Sequence, residues 1–446
     1  MLLNIEKLIY GGDGLARLPA VPPDNKDGGR GKAVFVPFVL AGENIEAAFT
    51  EEKPGFARAH ATAIVEPSPL RIPPPCPYFS RCGGCHYQHT GYEHQLEIKK
   101  EILLENLRRI AKLELQCEIQ VHPSPPWNYR NRSRLQVRTR PEFSAGYFRY
   151  ASHEVQPVEN CPISSPLINR GIAALWQLGH AGKIVEGVRE IEFFANADDS
   201  RLLLELLCAP EARRAAVRVC AEELSAAMPE ISGVLALREP QKGVLEPLVT
   251  FGSSDLTYQT MTASYRVSAG SFFQTNRFLI DELTRIVADG RTGELALDLY
   301  AGVGLFSTAL AGSYRHIVSV ESSQTTANDL KYNLPVNAKA VHAATEPYLT
   351  SRGNKSQAGN GASLPPVLPA PDLIIVDPPR GGLGERVARS LTGLEAPRVT
   401  YVSCDPATLA RDLLPLQAAG YRVEQVHLVD LFPQTYHLES VVQLIR

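Results

Sequence analysis

The fold is decided by the stretch Asp298-Leu299-Tyr300-Ala301-Gly302-Val303-Gly304, which follows an apolar strand and precedes a helix. Its glycines let the backbone approach a ligand with no Cβ in the way. Further apolar runs, at 317–321, 372–377 and 399–403, alternate with helical stretches. This alternation is typical of a doubly wound α/β sheet, which we predict for residues 266–446.

The glycine loop favours one class of ligand. Glu321 ends the next strand, where a carboxylate can accept hydrogen bonds from ribose hydroxyls. A dinucleotide fingerprint needs a third glycine near Ser307, which this sequence lacks. A ligand without a pyrophosphate, such as S-adenosylmethionine, therefore fits better than a nicotinamide dinucleotide. A tight strand–helix turn with no ligand is the alternative.

A second landmark, Asp377-Pro378-Pro379-Arg380, ends the apolar strand before it. The two prolines stop the strand and stiffen the backbone beside the crevice in which open α/β sheets bind ligands. An acid-Pro-Pro sequence at this strand end is often seen in methyltransferases that act on planar bases. A plain strand terminator has the same pattern.

Two candidate catalytic side chains lie near the last strands. Cys404, in Ser403-Cys404-Asp405-Pro406, stands between a strand and a helix, and a helix N-terminus favours the reactive thiolate. Glu439 comes just before the final strand, where a carboxylate can accept a proton. The alternatives are a buried, inert thiol and an ordinary polar strand end.

These motifs together resemble the RNA uracil-5-methyltransferases of the RumA and TrmA group. The resemblance rests on Ser-Cys-Asp-Pro around Cys404, His-Leu-Glu-Ser-Val-Val around Glu439, Ser271–Asn276 and Asp298–Tyr300. It extends to the N-terminal segment, which resembles a TRAM domain, and so covers nearly the whole chain. It implies a class I S-adenosylmethionine methyltransferase fold of Rossmann-like type, with Cys404 as nucleophile and Glu439 as base. The predicted cofactor and base-pocket residues are Gln274, Tyr300, Gly302, Gly304, Glu321 and Asp377.

The implied chemistry explains both residue types. Carbon 5 of uracil attacks a methyl donor poorly until a thiolate adds to carbon 6 and makes an enolate. A base must then remove the carbon-5 proton before the cysteine can leave. Two rival functions stay open: an amino-nitrogen methyltransferase that uses Asp377-Pro378-Pro379 without Cys404, and a non-catalytic RNA-binding protein.

Four cysteines form a candidate metal site, three close together and one distant in sequence. They are Cys76, Cys82, Cys85 and Cys161. Spacing alone leaves a 4Fe–4S cluster and zinc about equally favoured, with no metal as the third possibility. The resemblance favours iron–sulfur, because RumA-type members carry such a cluster at matching cysteines.

The run from Tyr129 to Arg140 alternates arginines with apolar residues at period two. As a strand, it would pack one face and present arginines, among them Arg132, Arg134 and Arg138, on the other. Tyr147, Phe148 and Tyr150 follow, and arginines with aromatics suit RNA binding. A solvated strand face is the alternative.

The remaining chain fits this organisation. Short strands with Gly and Pro turns predict a small OB-like β-barrel of TRAM type at 1–66. A proline-rich linker opens a strand-rich central domain at 67–265, whose first helix is predicted from the capping-box pattern Thr90-Gly91-Tyr92-Glu93. A Gly/Ser/Pro-rich loop is predicted at 350–371.

Composition limits the remaining possibilities. The chain has 446 residues, 44% hydrophobic and 21% charged, with a net charge of −3, which is ordinary globular composition. No apolar run reaches the roughly 18 residues that cross a bilayer. We therefore expect a cytoplasmic protein. The resemblance implies a monomer whose partner is RNA, and the cysteine set with the TRAM-like barrel favours ribosomal RNA over tRNA.

Overall fold

The computed structural model describes residues 1–18, 31–240, 245–353 and 370–446. Its N-terminal strands are β1 (Leu2–Leu8), β2 (Asp13–Arg17), β3 (Ala33–Pro37), β4 (Asn44–Glu52) and β5 (Phe56–Glu66). They close into a barrel in the order β1-β2-β3-β5-β4, which confirms the predicted barrel. Its core is small and aliphatic, with Ile5, Val34, Val36 and Ile45 fully buried.

The next two elements are α1 (Tyr92–Arg109) and β6 (Ile119–His122). The capping-box prediction for α1 is wrong, because the N-cap is Gly91 and no side chain caps the helix. The Thr90 hydroxyl instead donates to the main-chain oxygen of Leu70 at 3.0 Å. Thr90 therefore ties the start of α1 to the proline-rich linker.

The central domain contains a seven-stranded sheet with two helices. Its elements are β7 (Arg132–Arg138), β8 (Ser144–Phe148), β9 (Val155–Pro157), α2 (Pro166–His180), β10 (Val188–Ala195), β11 (Leu202–Cys208), α3 (Arg214–Ala227), β12 (Ile231–Arg238) and β13 (Glu246–Gly252). The strand order is β13-β12-β11-β10-β7-β8-β9. Leu135 and Val137 of β7 share one buried core with both helices. The alternation predicted for β7 is confirmed by its burial pattern.

The C-terminal part begins with a hairpin and continues as alternating helices and strands. Its elements are β14 (Asp255–Gln259), β15 (Ser264–Ser268), α4 (Ile280–Ala288), β16 (Gly293–Leu299), α5 (Leu305–Ala309), β17 (Tyr314–Glu321), α6 (Gln324–Asn333), β18 (Ala338–His342), α7 (Thr345–Gly353), β19 (Leu373–Val376), α8 (Gly384–Thr392), β20 (Arg398–Ser403), α9 (Pro406–Ala418), β21 (Arg422–Val429) and β22 (Glu439–Ile445). The eight-stranded sheet runs β18-β17-β16-β19-β20-β22-β21-β6. Strands β16 to β20 are mutually parallel, as predicted for a doubly wound sheet.

The structure shifts two predicted boundaries. Strand β6 adds to the edge of the catalytic sheet, and Leu103 and Leu107 of α1 pack into that sheet's core, although both elements precede residue 265. Residues up to 353 of the predicted 350–371 loop belong to α7, and residues 354–369 lie outside the described part. No helix in the described ranges is long and apolar enough to cross a membrane.

Candidate active site

Strand ends bring the predicted residues of the catalytic domain to one edge of the sheet. Leu299 of β16 pairs with Val376 of β19, which in turn pairs with Tyr401 of β20. Because these strands are parallel, the residues that follow them emerge on the same side. The edge therefore carries Tyr300, Asp377 and Cys404.

Glu439 reaches Cys404 through an antiparallel pairing. Ser403 of β20 is the partner of Ser440 in β22, and the Ser440 hydroxyl donates to the main-chain oxygen of Ser403 at 3.2 Å. One residue beyond this pair, on each strand, stand Cys404 and Glu439. The strand register thus sets the thiol and the buried carboxyl at neighbouring positions.

The Cys404 thiol is neutral in the free protein. Burial, and then the negative charges of Glu439 and Asp377, raise its pKa to about 12. Helix α9 does begin directly after it, with Asp405 as N-cap. The expectation that this helix start favours the thiolate is nevertheless wrong, because desolvation and the carboxyls outweigh it. The thiol must therefore lose its proton as it reacts.

Three carboxyl groups line this edge and hold protons unusually tightly. Burial raises the pKa of Asp298 to about 7. Burial, and then the charge of Asp298, raise the pKa of Asp377 to about 7. Burial, and then Asp377, raise the pKa of Glu439 well above its ordinary value. Perturbed carboxyls grouped around a thiol are typical of proton-transfer sites.

The glycine loop is shaped for close approach by a ligand. Gly302 and Gly304 have φ of +55° and +97°, and Tyr300, which is not glycine, has φ of +62°. The Glu321 carboxylate accepts a hydrogen bond from the main-chain nitrogen of Gly302 at 3.0 Å. Glu321 therefore lies against the loop, where a carboxylate can also meet a ribose. Strained backbone of this kind clusters at binding sites.

The loop that carries Gln274 is held from two sides. The side chain of Asn131 donates to the main-chain oxygen of Gln274 at 3.0 Å. On the other side, the Ser271 hydroxyl donates at 2.7 Å to Asp329, a buried residue of α6. Asn131, next to strand β7, and Asp329 of helix α6 thus fix this loop between them.

Comparison with known proteins shows which family this chain belongs to. The model of the tRNA (uracil-5-)-methyltransferase family matches residues 91–446. The chain belongs to this family. An uncharacterized RNA methyltransferase of Aquifex aeolicus is 31% identical over 446 residues, which is 99% of this chain and 97% of the relative. Another from Streptomyces coelicolor is 34% identical over 93% of this chain and 88% of the relative.

A solved structure supports the fold. The tRNA (uracil-54, C5)-methyltransferase of Pyrococcus abyssi, in complex with S-adenosyl-L-homocysteine, has a TM-score of 0.73 at 24% sequence identity over 100% of both chains. The shared architecture is that of an S-adenosylmethionine-dependent methyltransferase. This protein is therefore an RNA methyltransferase of the uracil-5-methyltransferase family that uses S-adenosylmethionine.

The predicted metal-binding cysteines Cys76, Cys82 and Cys85 each lie within electrostatic reach of Cys161. Burial, and then the charge of Cys161, raise the pKa of all three thiols. Four thiols within electrostatic reach are a donor set that suits iron–sulfur or zinc. Across the described ranges, however, no three His, Cys, Asp or Glu side chains are placed to hold a metal ion. Iron–sulfur binding stays a prediction.

The predicted arginine face is largely neutralised. Arg134 forms ion pairs with Glu190, Glu192 and Glu205 at 3.0–3.5 Å. The Arg132 side chain is largely buried and donates to the main-chain oxygen of Ser271 at 2.7 Å. Arg138 is exposed and donates to its neighbour's carbonyl. Arg132 and Arg134 thus make structural contacts, and RNA contact by this face stays a prediction.

Sequence reasoning did not assign two residues that interact with Cys404. The positive charge of Arg380 opposes burial and the carboxyls by lowering the pKa of Cys404. The Tyr10 hydroxyl donates to the Cys404 carbonyl. The motif Asp377-Pro378-Pro379-Arg380 could have pointed to Arg380, whereas nothing in the sequence pointed to Tyr10.

Proposed function

We propose that this protein methylates carbon 5 of a uridine in structured RNA through a covalent adduct with Cys404. The observation that carries the proposal is the strand register that makes Cys404 and Glu439 neighbours at the sheet edge. The nucleophile and the base must act on adjacent atoms of one ring, so this adjacency suits the reaction.

The steps follow from the site chemistry. The Cys404 sulfur adds to carbon 6 as its proton leaves, and Asp377, whose pKa is raised by burial to about 7, is the proposed acceptor. Bound S-adenosylmethionine supplies the methyl group to carbon 5. Glu439, which must be ionised at this point and whose raised pKa makes its carboxylate a strong base, then takes the carbon-5 proton, the electron pair restores the 5,6 double bond, and the carbon–sulfur bond breaks. The residues proposed to hold the cofactor are Gln274, Tyr300, Gly302, Gly304, Glu321 and Asp377.

The RNA is proposed to approach through a cleft beside this site. A cleft of about 620 Å³ lies between the barrel, the cysteine loop and the hairpin after β8. Its lining includes His86, Arg149, Tyr150 and Tyr436, and Tyr436 comes three residues before Glu439. Aromatic rings and an arginine can stack on and neutralise an unpaired nucleotide.

The proposal extends to the RNA substrate, the metal cluster, the cellular compartment and the oligomeric state. We favour ribosomal RNA, because the cysteine set and the barrel resemble the RumA type, and tRNA is the alternative that the structural relative suggests. The cysteines are proposed to hold a 4Fe–4S cluster, with zinc as the alternative. The protein is proposed to act as a cytoplasmic monomer. Mapping 5-methyluridine in total RNA of a deletion strain decides the substrate.

The chemistry is tested by trapping the adduct. Glu439→Gln keeps the size of the side chain but lacks a basic oxygen, so it should transfer one methyl group and remain bound to RNA. A denaturing gel with labelled RNA and S-adenosylmethionine should show a slow, protease-sensitive band. The band should be absent from Cys404→Ala and from the double variant. Methylation by Cys404→Ala would instead favour an amino-nitrogen methyltransferase, and failure to bind S-adenosylmethionine would favour a non-catalytic RNA-binding protein.

A further inference from the structure

The base Glu439 is carried by a segment with no regular secondary structure. We call residues 430–438 the base-carrying segment, since it joins the end of β21 to Glu439 at the start of β22. Such a segment lacks the ladder of hydrogen bonds that fixes a strand, so its buried polar groups need other partners. Residues from distant parts of the chain supply them.

Gln95 of α1 binds the middle of this segment. Its side-chain oxygen accepts from the main-chain nitrogen of Gln434 at 2.9 Å, and its side-chain nitrogen donates to the Gln434 side chain at 3.0 Å. The same nitrogen donates to the main-chain oxygens of Tyr87 and Thr90 at 3.1 and 3.0 Å. Gln95 is buried, and both ends of its amide are used.

The backbone at Gln434 is strained, and its remaining groups are also held. Gln434 has φ of +68°, in the left-handed region that residues other than glycine seldom adopt. Its carbonyl accepts from the main-chain nitrogens of His86 and Tyr87 at 2.8 and 3.0 Å. A strained conformation persists only when its surroundings over-determine it.

Further contacts hold the first half of the segment. The Tyr129 hydroxyl donates to the main-chain oxygen of Pro433 at 3.0 Å. Lys99, fully buried, pairs with Asp430 at 2.6 Å and donates to the main-chain oxygen of Phe432 at 2.9 Å. Asn276, two residues after Gln274, donates to the main-chain oxygen of Leu431 at 3.1 Å.

We propose that Gln95 and Tyr129 are positioning residues for the base Glu439. Neither belongs to the catalytic sheet, and each acts by fixing the segment that sets where the Glu439 carboxyl stands. The proposal rests on the proposed function, because it assigns to Glu439 the removal of the carbon-5 proton. A base displaced by about 1 Å can lose up to about 100-fold in rate.

The test measures one step rather than overall activity. Gln95→Leu removes every amide contact with Gln434, and Tyr129→Phe removes the bond to Pro433 together with the contact of the Tyr129 hydroxyl with the Arg130 side chain. Methyl transfer to carbon 5 should proceed in the first turnover, but release from Cys404 should slow by about 10-fold or more. The covalent RNA band should therefore accumulate in both variants, as it does in Glu439→Gln, and more strongly in Gln95→Leu.

Matched controls separate positioning from general stability. Tyr421→Phe removes an equivalent bond, since the Tyr421 hydroxyl donates at 2.7 Å to the main-chain oxygen of Ala396. Asn106→Leu removes an amide of α1 that bonds only within its own helix, to Ile102 at 2.8 Å. Both controls should release RNA at the native rate. If Gln95→Leu does not fold, Tyr129→Phe, which removes one hydroxyl, decides the question.

The outcomes are distinguishable. Accumulated adduct in Tyr129→Phe with native S-adenosylmethionine affinity supports the inference. If Glu439→Gln traps adduct while folded Gln95→Leu and Tyr129→Phe release RNA at the native rate, the inference is overturned and the proposed function stands. If Glu439→Gln traps nothing, the role of Glu439 fails and the inference fails with it.

Discussion

The Tyr10 hydroxyl donates a hydrogen bond to the main-chain oxygen of Cys404 at 2.9 Å, across 394 residues of sequence. Tyr10 lies just after the first strand of the barrel, and its ring also meets that of Tyr436 edge-on, with centroids 5.5 Å apart. Burial, and then the charge of Asp405, raise the pKa of Tyr10, so the hydroxyl stays a donor. Tyr10 of the barrel domain thus contacts both the proposed nucleophile Cys404 and the base-carrying segment that precedes Glu439.

We expect Tyr10→Phe to slow formation of the covalent adduct. The lost bond is worth about 1 kcal/mol, which corresponds to a rate about fivefold lower if the bond acts in the transition state. Quenched-flow trapping of the RNA adduct measures this rate. Tyr421→Phe is the control, because its hydroxyl donates to the main-chain oxygen of Ala396 at 2.7 Å and Tyr421 does not line the proposed RNA cleft. Equal rates for the two variants would count against a role for Tyr10.

S-adenosylmethionine should bind more tightly as the pH rises from about 6 to about 8. Burial raises the pKa of both Asp298 and Asp377 to about 7, so these carboxyls are protonated below that pH. A nearby sulfonium favours the ionised carboxylates, and binding then releases protons. We expect affinity to rise by about tenfold over this range, measured by titration calorimetry.

The control for this pH dependence is a change of ligand. S-adenosylhomocysteine has a neutral sulfur, so its affinity should change much less over the same pH range. Calorimetry in two buffers of different ionisation enthalpy should show proton release with the sulfonium ligand alone. The same pH dependence for both ligands would mean that these carboxyls do not sense the sulfonium.

The two candidate RNA surfaces can be compared directly. Arg149→Ala, in the cleft beside Tyr436, should weaken RNA binding and lower the slope of affinity against salt by about 1. Replacing Arg132, Arg134 and Arg138 with Ala tests the strand face, where Arg134 already meets three glutamates. We expect Arg149→Ala to lose more RNA affinity per positive charge removed than the variants of the strand face. If the strand-face variants lose more RNA affinity per charge removed, the strand face rather than the cleft is the RNA-binding surface.

The cysteine set should bind iron when the protein is made without oxygen. We expect about four irons per chain and a visible absorption band, both lost in Cys82→Ser. Cys208→Ser is the matched control, because Cys208 is a buried thiol of the central core that does not belong to the set. Metal analysis that finds one zinc per chain and no iron would refute the cluster.

Local patterns predicted the architecture because they depend on neighbours in sequence. Alternation of strands and helices after residue 290, the glycine loop and the start of α9 at Pro406 are all encoded within short windows. The period-two pattern of β7 was encoded in the same way. The capping box failed because the helix begins one residue later than the pattern requires, with Gly91 as N-cap, and Thr90 bonds to the linker at Leu70.

The sequence by itself determined the residue types at the sheet edge, including Cys404, Glu439 and Asp377. Only the tertiary structure decided their protonation, because desolvation and mutual repulsion depend on what surrounds a group in space. The same holds for Arg134, whose glutamate partners come from two other strands, and for Gln95, which is 339 residues from Gln434. Charge and hydrogen bonding act through distance, and folding alone sets those distances.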